Sequence, residues 1–120
     1  MNKIATTLSV FSLLFFVSQV CHAEKMLSGD EIKALLTGKT VYVTLNSSTQ
    51  WRQYFAADGS SARDNGETSE WAVEGDKHCN TAGVIRCAAI RDNGDGTYIR
   101  LKPNGSTAVT WTKIVNGKDF

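Results

Sequence analysis

The chain has 120 residues, with 13 Lys and Arg against 12 Asp and Glu, a formal net charge of +1, and 42% hydrophobic residues. That length holds one small domain. So even a charge balance, with no Lys/Arg cluster, lacks the electrostatic footprint of a nucleic-acid or anionic-membrane binder, and both partner classes are excluded at this level.

The N-terminus reads as an export signal. Lys3 is the lone positive charge of a short leading region, Leu8 to Val17 is almost unbroken apolar sequence, and Cys21-His22-Ala23 ends in a small residue at the proposed cut. The apolar run is shorter than the roughly 20 residues needed to span a bilayer, so a cleaved signal peptide over 1–23 is expected and no retained membrane anchor. Cys21 stands where bacterial lipidation would occur, but Ser18 and Val20 occupy the places where a lipobox has a Leu-like and a small residue. The mature chain is then a single periplasmic or secreted domain over 24–120. Losing Lys3 from the 13 cations matches them to the 12 acids, and losing Cys21 from the three cysteines leaves Cys79 and Cys87 as a pair. In an oxidising compartment that pair is expected as a disulfide, contributing about 2.5 kcal/mol in the chain-entropy model.

In chain order, the mature domain opens with a short helix. Ser28 is placed as N-cap with Glu31 three residues on, a capping box; Leu27 and Ile32 occupy the staple positions, and Gly38 follows the last turn as a stop. Ile32, Leu35 and Leu36 share the face it would bury, so the helix is expected as a lid or plug. After Gly38 the period changes to alternation, with turn residues every eight to twelve positions or so. Strands are predicted over Val41–Leu45, Trp51–Ala56, Ser60–Asp64, Thr68–Val73, Lys77–Cys79, Val84–Arg91, Thr97–Lys102 and Thr107–Val115. The fold class is therefore mainly β: an antiparallel up-and-down meander of seven or eight strands, forming a small barrel or strongly curled sheet with one short N-terminal helix. A two-layer sandwich is the alternative.

Chemistry-bearing residues are few. Asp76, His78, Cys79 and Cys87 could be drawn as a metal set, but zinc sites pair ligands two to four residues or so apart and repeat the pair, so the disulfide is preferred and no metal or cofactor is assigned. His78 is the one histidine of the mature chain. Without a nucleophile elbow, a paired acidic motif or a free thiol beside it, it is expected to be an exposed strand or turn residue, and no catalytic residue is assigned. Asp92-Asn93-Gly94-Asp95-Gly96 resembles a calcium loop, yet Arg91 and Lys102 fall where that loop needs carboxylates, so a hairpin turn is predicted. Of the aromatic residues, Trp71 and Trp111 are expected in the core. Trp51 and Tyr54, with the polar Arg52 and Gln53 between them, are the candidate ligand-binding residues. The function read from these features is a non-catalytic periplasmic or secreted binding module for a small apolar or aromatic ligand. The alternative is a protein-interaction module, such as an inhibitor of a periplasmic or foreign enzyme.

The run Leu27-Ser28-x-x-Glu31-Ile32, then Leu36-x-Gly38-Lys39-Thr40, Tyr54-Phe55-x-x-Asp58-Gly59, Trp71-x-Val73 and the paired Cys79 and Cys87 resembles a family of small, mostly uncharacterised secreted proteins of Gram-negative bacteria. The resemblance implies a periplasmic location and a lone β-rich domain, and carries no site residues. The segment between the cysteines departs from the pattern in lacking aromatic residues.

Overall fold

The computed structural model describes residues 23–120. The expected signal peptide, but for Ala23, lies outside the described residues, and so does Cys21. In chain order the elements are β1 (Lys25–Met26), α1 (Gly29–Leu36), β2 (Lys39–Asn46), β3 (Thr49–Phe55), β4 (Ser60–Arg63), β5 (Thr68–Glu74), β6 (Lys77–Asn80), β7 (Cys87–Ala88), β8 (Ile90–Asp92), β9 (Tyr98–Leu101) and β10 (Thr107–Asn116).

Helix α1 forms where its caps are written. The Ser28 hydroxyl accepts from the Glu31 N–H at 3.2 Å, and the Ser28 N–H donates to the Glu31 carboxylate at 2.9 Å, so two free amides of the first turn are satisfied reciprocally. Leu27 and Ile32 are both buried in the core, as a hydrophobic staple requires. At the other end Gly38 adopts φ +73° and donates to the Phe55 carbonyl at 2.7 Å, which turns the chain into β2. The helix packs against β2, β5 and β6. Its first residue, Gly29, donates to the Asp76 carboxylate at 2.7 Å, and a Cβ there would sit 2.1 Å from the Gly75 carbonyl oxygen. Glycine is therefore what lets the helix start against the β5–β6 turn.

The strands form one curled antiparallel sheet in the order β1-β8-β9-β10-β2-β3-β4-β5-β6-β7, a half-barrel. Successive strands from β2 to β7 are hairpin neighbours, as are β8 to β10, and the last strand returns to pair with the first of the meander, Trp111 opposite Val43 and Asn116 opposite Lys39. The ends of the meander are thus joined. The seam lies instead between β7 and β8, which are consecutive in the chain.

That seam accounts for two differences from the sequence reading. The predicted strand Val84–Arg91 is broken, because Cys87 and Ala88 pair with β6 whereas Ile90 to Asp92 pair with β9, and one continuous strand cannot serve both partners. Residues 81–86 leave the sheet as a loop, with Val84 fully exposed at its tip. The two-residue strand β1 was not anticipated; it borders β8, Lys25 opposite Asp92. Cys79 and Cys87 face each other across β6 and β7 and are joined as a disulfide at the base of the loop.

The core gathers Leu27, Ile32 and Leu36 from the helical segment with Val41, Val43, Phe55, Trp71, Ile90 and Trp111 from the sheet. Burying a large apolar side chain stabilises the fold by about 1.5–3 kcal/mol. Trp71 and Trp111 are core residues, as expected, and the Trp71 indole N–H keeps a partner by donating to the Ala56 carbonyl at 2.8 Å.

Candidate functional site

Strand alternation places the first wall of the site. On β3, Trp51, Gln53 and Phe55 point into the half-barrel, so Arg52 and Tyr54 point away from it. Val43 and Leu45 of β2 and Val109 and Trp111 of β10 continue the same wall, and Ile85 of the 81–86 loop faces it. Together they enclose a cavity of about 410 Å³, open on one side. Of the two candidate ligand residues, Trp51 is therefore at the cavity. Tyr54 lies one pleat away, opposite Thr40 and Ala62, and is not among the lining residues.

Trp51 is held in place from both ends. Its indole N–H donates to Gln53 at 3.2 Å, and Gln53 in turn donates to the Ser61 hydroxyl at 2.9 Å. The Arg63 guanidinium, on the neighbouring strand, lies 4.2 Å from the Trp51 ring centroid, a cation–π contact. Arg63 also reaches Glu67 at 3.7 Å, while its Nε–H is buried and has no hydrogen-bond partner among the described residues.

His78 is the departure from expectation. Rather than being exposed, it is 2% accessible and lines the inner end of the cavity. The cause is register: the tight turn at Gly75-Asp76 pairs Glu74 with Lys77, so His78 falls opposite Val73 and Asn80 opposite Trp71, on the inward face. Its ring stands perpendicular to Phe55 and Trp111, with centroids 5.2 and 5.5 Å away, and 6.2 Å from Trp71. Burial, assisted by the nearby Arg100 charge, pushes its pKa down to about 3, so the ring is neutral in ordinary buffers. The Arg100 Nε–H donates to His78 Nδ1 at 3.0 Å, which assigns the proton to Nε2. That Nε2–H is buried and, among the described residues, has no hydrogen-bond partner.

Arg100 is the second residue that sequence reasoning passed over. Its Nη2 donates to the carbonyls of His78, Ile85 and Arg86 at 3.2, 2.9 and 3.0 Å. One side chain from β9 thus crosses the seam to carbonyls of β6 and of the 81–86 loop, sharing that of Arg86 with the Asn80 N–H. Its burial lowers the guanidinium pKa, and among the described residues no carboxylate pairs with it. Any sequence signal was slight: Tyr98-Ile99-Arg100-Leu101 shows no alternation, and all four residues are half-buried.

The residues once drawn as a metal set occupy separate environments. Cys79 and Cys87 are bonded to each other, with Glu74 alongside, Asp76 accepts from Gly29, and His78 is turned into the aromatic core. Residues 92–96 form the predicted turn, with Asp92 accepting from the Gly94 N–H and Asp95 from the Thr97 N–H and hydroxyl. A cleft of about 460 Å³ between the start of α1 and the β5–β6 turn is walled by Ser28, Glu31 and Asp76. These polar groups are already engaged by Lys25, Gly29 and each other, so the cleft offers a ligand little. Among the described residues no helix is long and apolar enough to cross a membrane.

Comparison with protein-family models, curated proteins and solved structures finds no match to this chain.

Proposed function

We propose that this protein is a non-catalytic, exported binding module that holds a small ligand with an apolar or aromatic body inside the half-barrel. The observation that carries the reading is the cavity of about 410 Å³ walled by Trp51, Phe55 and Trp111, with a few polar groups at fixed positions. Small-molecule sites of about 300–1,000 Å³ with this apolar-plus-polar make-up are the common form. His78 favours binding over catalysis: its basic nitrogen is occupied by Arg100, and its low pKa leaves it unprotonated, so it neither takes nor supplies a proton near neutrality. The disulfide suits the periplasmic or secreted location that the N-terminus implies.

The test is titration with N-phenyl-1-naphthylamine, a neutral aromatic probe, following tryptophan quenching and probe emission. Saturable one-site binding is expected, weakened about tenfold or more in Trp51→Ala through loss of stacking and buried area. Absence of saturation, or a Trp51→Ala variant that binds as well as the parent, overturns the reading. The protein-interaction alternative draws on fully exposed Val84 at the tip of the 81–86 loop. It predicts that Val84→Asp abolishes capture of a periplasmic protein.

A further inference from the structure

We infer that the ligand of this cavity is a small carboxylate: an apolar, preferably aromatic, body carrying one anionic carboxylate head. This rests on the cavity being the binding site and adds the chemistry of what enters it. The first observation is charge. The cavity wall includes Arg63, Arg100 and Lys102, and no Asp or Glu. Arg100 spends Nε and Nη2 on neutral acceptors, and among the described residues its Nη1 has no acceptor. Lys102 is exposed and enters no ion pair among the described residues. In a chain whose charges otherwise balance, a wall whose charged residues are all cations, with a carboxylate beside Arg63 alone, favours an anion.

The second observation is independent of charge. Among the described residues, two buried side-chain polar atoms lack a hydrogen-bond partner, Arg63 Nε and His78 Nε2, and both residues line this cavity. Both atoms are N–H donors, the arginine always and the histidine because Nδ1 accepts from Arg100. Native proteins rarely leave buried donors unpaired, and where they do the missing partner is often a ligand or water. What these walls lack is therefore acceptors, and what they hold in surplus is positive charge. A carboxylate supplies acceptor oxygens and the countercharge together, and its planar pair of oxygens matches a guanidinium edge. A cationic or donor-rich ligand would leave both surpluses unmet. A phosphate is disfavoured because the lining contains no run of backbone amides at a helix start to cradle it; the helix among the described residues begins at the separate cleft near Gly75. Phe55, Trp111 and Val109 then hold the body.

The experiment compares four probes with the same ring system: 2-naphthoate, 2-naphthamide, 2-naphthylmethylammonium and 2-naphthyl phosphate, titrated into the mature chain near neutral pH and read by calorimetry and tryptophan quenching. The naphthoate is expected to bind about tenfold or more tighter than the amide, and the ammonium weakest. Arg63→Met is expected to erase most of the naphthoate's advantage over the amide, and Lys102→Met, at an exposed position, is expected to reduce the same ratio if the first variant does not fold. Equal affinity for naphthoate, amide and ammonium overturns the carboxylate assignment while the cavity reading stands. Preference for the ammonium or the phosphate overturns it as well. Failure of all four to bind removes the cavity reading itself.

Discussion

Mild acid should destabilise this fold through His78. The unfolded chain has an imidazole pKa of 6.5, whereas in the fold burial and Arg100 push it down to about 3. Below pH 6.5 the unfolded chain therefore takes up a proton that the folded chain refuses, so the stability contributed by the neutral ring is complete above 6.5 and is lost progressively as pH falls toward 3. Each pH unit in that window costs about 1.4 kcal/mol, so moving from about pH 7.5 to about pH 5 removes about 2 kcal/mol. For a small domain of about 5–10 kcal/mol total stability that is a large fraction. The assay is urea unfolding followed by tryptophan emission at both pH values, for the parent and for His78→Gln, whose amide oxygen still accepts from Arg100 but does not titrate. Glu31 does not confuse the comparison: its hydrogen bond with Lys25, aided by Ser28, holds its pKa down to about 2, so its contribution is lost only in stronger acid and equally in both proteins. Parallel pH dependence in parent and variant would refute the buried neutral histidine.

Two further outcomes follow from the seam and from the helix start. Arg100→Met removes this donor from the carbonyls of His78 and Ile85 and from the His78 Nδ1, and leaves the Arg86 carbonyl with the Asn80 N–H alone. It should cost about 3 kcal/mol in urea unfolding and speed amide exchange at Asn80, whose N–H bonds Arg86; a loss under about 0.5 kcal/mol would show that the arginine does not bind the seam together. Gly29→Ala should lose about 2 kcal/mol or more, despite the usual gain of about 1 kcal/mol for alanine in a helix, because its Cβ would lie 2.1 Å from the Gly75 oxygen. Gly38→Ala, with nothing within 4 Å of its Cβ, should lose only the positive-φ penalty of about 1 kcal/mol; equal melting temperatures for the two variants would contradict this.

The features legible in the sequence are those decided by residues close together in it. The capping box needs Ser28 and Glu31 three positions apart, and the hairpin turns at Asp58-Gly59 and Gly75-Asp76 need two adjacent residues, so helix and meander could be read directly. The run from Val84 to Arg91 could not, because its apolar residues suit a strand but its partners change between Ala88 and Ile90, a fact settled by distant strands. The site divides in the same way. Trp51 stood out as a large aromatic beside polar neighbours, and simple alternation separates it from Tyr54. His78, Arg63 and Arg100 are polar residues on strands, for which an outward direction is the ordinary expectation. Their inward direction depends on register across β4, β6 and β9, and for His78 that register could have been counted from the Gly75-Asp76 turn.

The pairing of the final strand with the first strand of the meander has a consequence for the order in which this molecule is made. Lys39 and Val41 wait for Asn116 and Ile114, which follow the whole of the meander in the chain. Until then β2 has one partner and a bare edge, and Trp111, which closes the core over Val43, is missing. Hairpins can form as they emerge, but closure waits for β10, because contacts so far apart in sequence are assembled late. Such wiring keeps the emerging polypeptide pliable until β10 arrives to pair with β2.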